Sequence, residues 1–239
     1  MIKTIAFDAD DTLWHNEPLY DQARVQFCQI LSAYQSTEKL ESRLSEIEIG
    51  NIQFYGYGIK SFIISMVETA VYISHGEVKG NEIQSILDIA RQMLTADVPL
   101  FDHTRSVLET LHATYDLMLL TKGDLFEQVR KVERSGLASY FRLIEVVEDK
   151  TEKNYRNLLQ KYNINPGEFL MVGNSIRSDI LPVIKIGGQA VYIPYATTWV
   201  HERVPDLEID HHKFAEINNL SQLPEHLRKL SANIVQRDK

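Results

Sequence analysis

The sequence predicts an α/β fold: a parallel sheet interrupted early by a helical insertion. Three observations carry this. Short apolar runs of strand length alternate with stretches of helical periodicity, the pattern of β-α-β units. The run Leu117 to Leu120 is continuously apolar, as suits a strand covered on both faces. From about Glu17 to Thr95 the alternation gives way to helical periodicity alone. The 239 residues leave room for one large core and a smaller module.

The elements follow in order. Ile2 to Phe7 reads as the first strand. Tyr20, Ala23, Phe27, Ile30, Leu31 and Tyr34 then recur at helical spacing, as do Phe62, Ile63, Met66, Val67 and Ala70, and later Ile83, Ile86, Leu87, Ala90, Met93 and Leu94. Asp116 to Leu120 is the second strand, and Leu143 to Val147, Phe169 to Val172 and Ala190 to Ile193 are three more. Phe214 to Ile217 is a candidate sixth. The crossover helices run from Phe126 to Arg134, Asn154 to Tyr162 and Ile180 to Ile186. They stop at Gly136, near Asn163 and at Gly187-Gly188, where a left-handed residue ends a helix readily. The C-terminal Arg237-Asp238-Lys239 reads as a frayed tail.

Composition narrows the function. Hydrophobic residues make up 44% and charged residues 24%, which excludes disorder of the whole chain. With 25 Lys+Arg against 33 Asp+Glu, the formal charge is -8, a poor match for nucleic acid or an anionic membrane. No apolar run approaches the roughly 20 residues of a spanning helix, and carboxylates arrive too early for a signal sequence. The lone Cys28 forms no internal disulfide, which suggests a reducing compartment. The expectation is a cytoplasmic, unanchored protein. The adjacent His211 and His212 are read as exposed, not as metal ligands.

The chemistry concentrates after the first strand, in Asp8-Ala9-Asp10-Asp11-Thr12-Leu13. In open parallel sheets, ligands bind beyond the carboxyl ends of the strands. Carboxylates at i and i+2 on an extended segment point to one side, and such like charges need a proton or a cation between them. If the chain turns after Asp8, one carboxylate can attack while the other handles protons. A hard cation such as Mg2+ would suit the oxygen donors. A polar loop capping a strand is the competing reading.

Four segments in order resemble the haloacid dehalogenase-like (HAD) hydrolase superfamily in its phosphatase form. Asp8-Ala9-Asp10-Asp11-Thr12-Leu13 is similar to the family's first motif. The resemblance implies Asp8 as the nucleophile forming an aspartyl-phosphate and Asp10 as the general acid/base. Asp11 matches no required position and reads as a surface residue or turn former. Leu117 to Thr121, a strand ending in Thr, is similar to the second motif. It implies that Thr121 donates to a phosphate oxygen, with Lys122 beside it as a substrate contact. The third motif supplies a lysine, and Lys150 is chosen over Lys153 because it comes first after its strand. Gly173-Asn174-Ser175-Ile176-Arg177-Ser178-Asp179 resembles the fourth motif, with Asn174 where the family usually has Asp. The implied Mg2+ site uses Asp8, the backbone carbonyl of Asp10 and Asp179, with Asn174 in or near the coordination shell.

The resemblance implies a Rossmann-like parallel-sheet core, residues 1–15 and 96–239, and an inserted α-helical C1 cap domain, residues 16–95. A cap loop in that family faces the acids and reads the substrate, so Tyr55, Tyr57 and Lys60 are expected to contact the leaving group. An interhelix turn with packed tyrosines is the competing reading. Trp14 and His15 are expected near the cleft entrance, and Tyr195, Thr197, Thr198, Trp199 and His201 on the same side of the sheet. The implied activity is a Mg2+-dependent phosphatase acting on a small phosphorylated metabolite. Alternatives are a haloacid dehalogenase or phosphomutase of the superfamily, or a non-catalytic binding module. Asp10 argues against the dehalogenase, and Asn174 mildly favours it.

Overall fold

The structure is a computed structural model. It describes residues 1–196, 202, 204–205 and 210–237. Strands β1 (Thr4–Phe7), β2 (Asp116–Lys122), β3 (Leu143–Val147), β4 (Phe169–Gly173), β5 (Gln189–Tyr192) and β6 (Ala215–Glu216) form one sheet in the order β3-β2-β1-β4-β5-β6. All five pairings are parallel.

Alternate residues explain why the central strands are apolar along most of their length. Ile5, Phe7, Leu117, Leu119, Leu170 and Val172 join a core on one face, with Val107, Leu108 and Leu111 of α5 (Thr104–His112), Val132 of α6 (Leu125–Ser135), and Leu223 and Leu227 of α9 (Leu223–Arg237). Ala6, Met118, Leu120, Phe169 and Met171 face the other way. They pack against Tyr155, Leu158 and Leu159 of α7 (Glu152–Lys161) and against Val183 of α8 (Leu181–Lys185) and Ile186 just after it. A parallel sheet flanked by helices on both faces buries its central strands on both sides, and polar residues such as Asp116 and Glu216 fall at strand ends and on the edge strands.

Sequence periodicity misses α5 and α9. Helix α9 occupies most of the segment before the expected frayed tail, of which only Arg237 lies within the described residues. Both helices cover the same sheet face, and their apolar positions become meaningful only against it.

Four helices fill the chain between β1 and α5: α1 (Glu17–Ile30), α2 (Thr37–Tyr55), α3 (Ile59–Ile73) and α4 (Gly80–Thr95). They hold an apolar cluster of their own, centred on Phe27, Leu31, Leu40, Leu44, Phe62, Met66 and Ile86. The chain leaves and re-enters the sheet layer side by side. His15 donates its backbone N–H to Pro99, and Phe101 donates to Leu13.

Candidate active site

The register of the sheet brings the predicted residues together. Phe7 pairs with Leu119 on one side and with Val172 on the other. Asp8 therefore leaves β1 level with Leu120, one residue before Thr121 of β2, and with the end of β4, and its N–H donates to Val172. The β1–β4 boundary is where the strand order reverses, the place where open α/β sheets part to admit ligands.

Three side chains lock together there. The Lys150 ammonium lies 2.5 Å from Asp8 Oδ1 and 2.7 Å from Asp179 Oδ1. All three residues are buried, whereas Lys153 is exposed. Asp179 Oδ2 accepts the Ser175 N–H at 3.0 Å. A Cβ on Gly173 would fall 2.2 Å from that same Oδ2, so the last residue of β4 must be glycine for Asp179 to approach. The Thr12 hydroxyl stands 3.2 Å from Asp8 Oδ2 and 3.1 Å from Asn174 Oδ1, drawing the two oxygens to one point. Burial pushes the Asp8 carboxyl up to about 7, against the pull of Lys150 and helped by the negative charge of Asp179. Burial alone would lower Lys150, but the two carboxylates raise it.

Asp10 sits in different surroundings. Its Oδ1 accepts from Trp14 Nε1 at 2.6 Å and its Oδ2 from Gln128 Nε2 at 2.9 Å. Lys131 Nζ reaches both oxygens, at 2.7 and 2.8 Å, and also Asn16 Oδ1 at 2.9 Å. Burial would raise this carboxyl; the Lys131 charge and the donors of Lys131, Gln128 and Trp14 outweigh it and hold it below the usual carboxylate range. Asp11 is not a surface residue. It is buried and left-handed, φ 59°, and accepts the N–H groups of Asn16 and Glu17, which turns the chain from β1 into α1.

The cleft at this site has a volume of about 160 Å³. Asp8, Asp10, Thr121, Lys122, Lys150, Asn174, Asp179 and Tyr57 all line it. Two expected substrate contacts do not. Tyr55, the last residue of α2, is 52% exposed and outside the lining. Lys60 is drawn away by Asp124, the N-cap of α6, at 2.9 Å to both carboxylate oxygens. Gly56 and Gly58, both with positive φ, account for the difference: the backbone reverses there, and of Tyr55, Tyr57 and Lys60 only Tyr57 enters the cleft.

Trp14 is buried in the core and does not line this cleft, and His15 packs on Phe101 with ring centroids 4.0 Å apart. The His15 Nδ1 meets the Tyr195 hydroxyl at 3.2 Å. Thr197, Thr198, Trp199 and His201 lie outside the described residues. His211 and His212 are exposed.

Sequence reasoning misses several lining or supporting residues. Gln128 and Lys131 stand one turn apart on α6, and nothing local ties them to an acid more than a hundred positions earlier. Glu202 pairs with Lys122 and accepts from the hydroxyls of Ser175 and Ser178. Burial opposes its ionisation, yet those partners pull its carboxyl down to about 2. Arg24, Glu17 and Glu48 line the helical side of the cleft.

An open parallel sheet with a buried carboxylate–ammonium–carboxylate cluster at its topological switch point defines an α/β protein with a candidate active site. The chain belongs to the haloacid dehalogenase-like hydrolase family, whose model matches residues 2–187. A solved haloacid dehalogenase-like family hydrolase from Xanthomonas campestris is 35% identical, with a TM-score of 0.87 over 99% of this chain and 94% of that one. A solved 2-haloacid dehalogenase from Pseudomonas syringae pv. Tomato DC3000 is 25% identical, with a TM-score of 0.64 over 96% of this chain and 100% of that one. Among characterised relatives, 5-amino-6-(5-phospho-D-ribitylamino)uracil phosphatase YigB of Escherichia coli (strain K12) is 24% identical over 87% of this chain and 92% of its own length. Among the described residues, no helix is long and apolar enough to cross a membrane.

Proposed function

We propose that this hydrolase is a phosphatase for small phosphate esters, working through an aspartyl-phosphate on Asp8. The observation that carries the reading is the buried Asp8–Lys150–Asp179 cluster, which fixes one carboxylate at the head of the cleft beside a charged ammonium. Asp8 attacks phosphorus, and the bond to the leaving oxygen breaks. Asp10, two residues on, delivers a proton to that oxygen. A water molecule that gives a proton to Asp10 then splits the acyl-phosphate, releasing inorganic phosphate and restoring Asp8. Lys150 and the Thr121 hydroxyl stabilise charge on the transferring group. Since Asp10 is held as an anion by Lys131, it must leave that partner, or share its proton, when a substrate enters. That the Escherichia coli relative is a phosphatase supports the phosphoryl chemistry.

The donor set fits a hard divalent cation such as Mg2+. Asp8 Oδ2 and Asn174 Oδ1 converge on Thr12, and two buried carboxylates share one ammonium, leaving an uncompensated negative charge. Among the described residues there is no cluster of three His, Cys, Asp or Glu side chains poised around one point. The reason is that both Asp179 oxygens are engaged and the Asp10 carboxylate is turned to Lys131. Asp8, the Asp10 carbonyl and Asn174 would hold the ion directly, with Asp179 supporting it through its charge. The bound ion would add positive charge where phosphate oxygens bind. Residues 16–95 would act as a cap domain on a core of 1–15 and 96–239. The Ile59 N–H at the start of α3 already rests on Glu127 of α6 at 2.8 Å.

Intact-protein mass spectrometry after an acid quench of a p-nitrophenyl phosphate reaction tests the reading. One added phosphoryl group is expected on the wild type and none on Asp8→Asn. Phosphorylation of the Asp8→Asn protein would reassign the nucleophile. A second reading, hydrolysis of a carbon–halogen bond by Asp8, is favoured by the uncharged Asn174 and the fully engaged Asp10 carboxylate. Halide release from 2-chloropropionate, with no phosphate release from any ester, would establish it.

A further inference from the structure

Beside Asp10, the wall of the cleft carries charge that the reaction at Asp8 does not use. Glu17 and Glu48 flank Arg24, whose guanidinium nitrogens lie 3.1 and 3.8 Å from them and whose carbon sits 5.3 Å from the Phe62 ring centroid. On the α6 side Lys131 serves Asp10 and, at 3.6 Å, Glu127. Four carboxylates thus face two cations on this wall, and all but Lys131 line the cleft. Burial raises Glu17 and Glu127 and pushes Glu48 up to about 7, because neither Arg24 nor Lys131 supplies enough compensating charge.

A second observation points to a ligand. Gln128 also lines the cleft and is buried, at 2% exposure. Its Nε2 is spent on Asp10 Oδ2 and on the Lys122 carbonyl at 3.1 Å, but its Oε1 has no partner among the described residues. The backbone makes room for this side chain: Gly123, at φ 140°, would place a Cβ 3.0 Å from Gln128 Nε2. A buried acceptor left unpaired is costly, so a hydrogen-bond donor that a ligand in the cleft brings to Gln128 Oε1 would be held there.

Resting on the phosphatase reading, we propose that Gln128 Oε1, Glu48 and Glu17 form a subsite selecting phosphate esters whose leaving group carries hydrogen-bond donors, hydroxyl or ammonium, and no second anion. The wall offers acceptors and negative charge. Its Arg24 is already committed to three carboxylates, Glu17, Asp21 and Glu48, so a carboxylate or second phosphate on the leaving group would meet repulsion. An ammonium would in addition relieve the charge deficit around Glu48.

The test uses four esters of nearly equal length on the full chain: 2-aminoethyl phosphate, 2-hydroxyethyl phosphate, propyl phosphate and phosphoglycolate. p-Nitrophenyl phosphate is the activity control. The wild type should turn over the amino or hydroxy ester with kcat/KM at least about tenfold above the propyl ester, with phosphoglycolate poorest; a lead for the amino ester identifies charge, and parity with the hydroxy ester identifies hydrogen bonding. Glu48→Gln should lower the ratio of amino to propyl ester about tenfold, mainly through KM. A preference for phosphoglycolate or propyl phosphate, with p-nitrophenyl phosphate turned over, overturns the subsite and leaves the phosphatase standing. So does an amino-to-propyl ratio unmoved in a folded Glu48→Gln. Absence of turnover on every ester, p-nitrophenyl phosphate included, overturns the phosphatase reading and the subsite with it.

Discussion

Lys131 Nζ bridges the two oxygens of Asp10 at 2.7 and 2.8 Å, tying α6 to the turn that follows β1. The consequence is a split between two acids only two residues apart. Burial lifts Asp8, while Lys131 and its neighbours draw Asp10 below the usual range. The split runs opposite to what the proposed reaction needs, an ionised nucleophile and a protonated acid. Those roles therefore require positive charge to arrive beside Asp8, and require Asp10 to leave Lys131, when substrate binds.

Lys131→Met should destabilise the protein by about 2–4 kcal/mol, because it leaves Asp10 and Glu127 without their cation. The lower part of that range is expected, since the Asp10 side chain keeps 22% of its surface exposed. Urea denaturation measures the loss. The double variant Lys131→Met with Asp10→Asn should recover part of it, and full additivity of the two single losses would mean that the pair does not interact.

Acidification should report on Glu202. Its carboxyl falls from an ordinary value of 4.5 to about 2, so the unfolded chain takes up a proton before the folded one does. The stabilisation is then present above about pH 4.5 and is lost as pH falls toward 2. The full span corresponds to roughly 3 kcal/mol. Chemical denaturation from pH 6 to pH 2.5 should show wild type losing more stability than Glu202→Gln, by up to that amount. Parallel curves would show that Glu202 is not held by Lys122, Ser175 and Ser178 in solution.

Gly173→Ala should damage the site more than the fold. The added Cβ would strike Asp179 at 2.2 Å and force its carboxylate off Ser175 and Lys150. Displacing a positioned group by about an ångström can cost about 10²-fold in rate, while a misfit methyl in a packed interior costs roughly 1–3 kcal/mol. Steady-state kinetics beside a melting curve separates the two effects, and near-wild-type kcat would show that Asp179 can shift without consequence.

Asn174→Asp should tighten Mg2+ binding, because it adds charge to an oxygen already drawn to Asp8 through Thr12. Turnover should stay within about tenfold, roughly 1.4 kcal/mol. Exhaustive chelation should abolish phosphate release by the wild type, and added Mg2+ should restore it. Unchanged Mg2+ affinity in a titration of Asn174→Asp would place the side chain outside the reach of the ion.

The sequence by itself determined the parallel α/β core and most of the site's floor. Asp8, Thr121, Lys150, Asn174 and Asp179 each lie at or shortly beyond the carboxyl end of an apolar strand, and parallel pairing carries all such ends to one edge. Local pattern and strand direction carry the strand ends to one edge, while the choice of Thr121, Lys150, Asn174 and Asp179 there rests on the resemblance to the family's motifs. What surrounds the floor depends on how the helices pack. Lys131 and Gln128 face Asp10 because α6 packs beside the β1 turn, across 121 and 118 positions of chain. Tyr57 enters the cleft while Tyr55 and Lys60 leave it, because two glycines reverse the backbone between α2 and α3 and Asp124 captures the lysine. Glu48 and Arg24 meet the cleft only because α1 and α2 pack together over it. Strand ends are fixed by short-range hydrophobic periodicity. The charge of the opposite wall depends on side chains brought together by packing between helices, which no short-range pattern encodes.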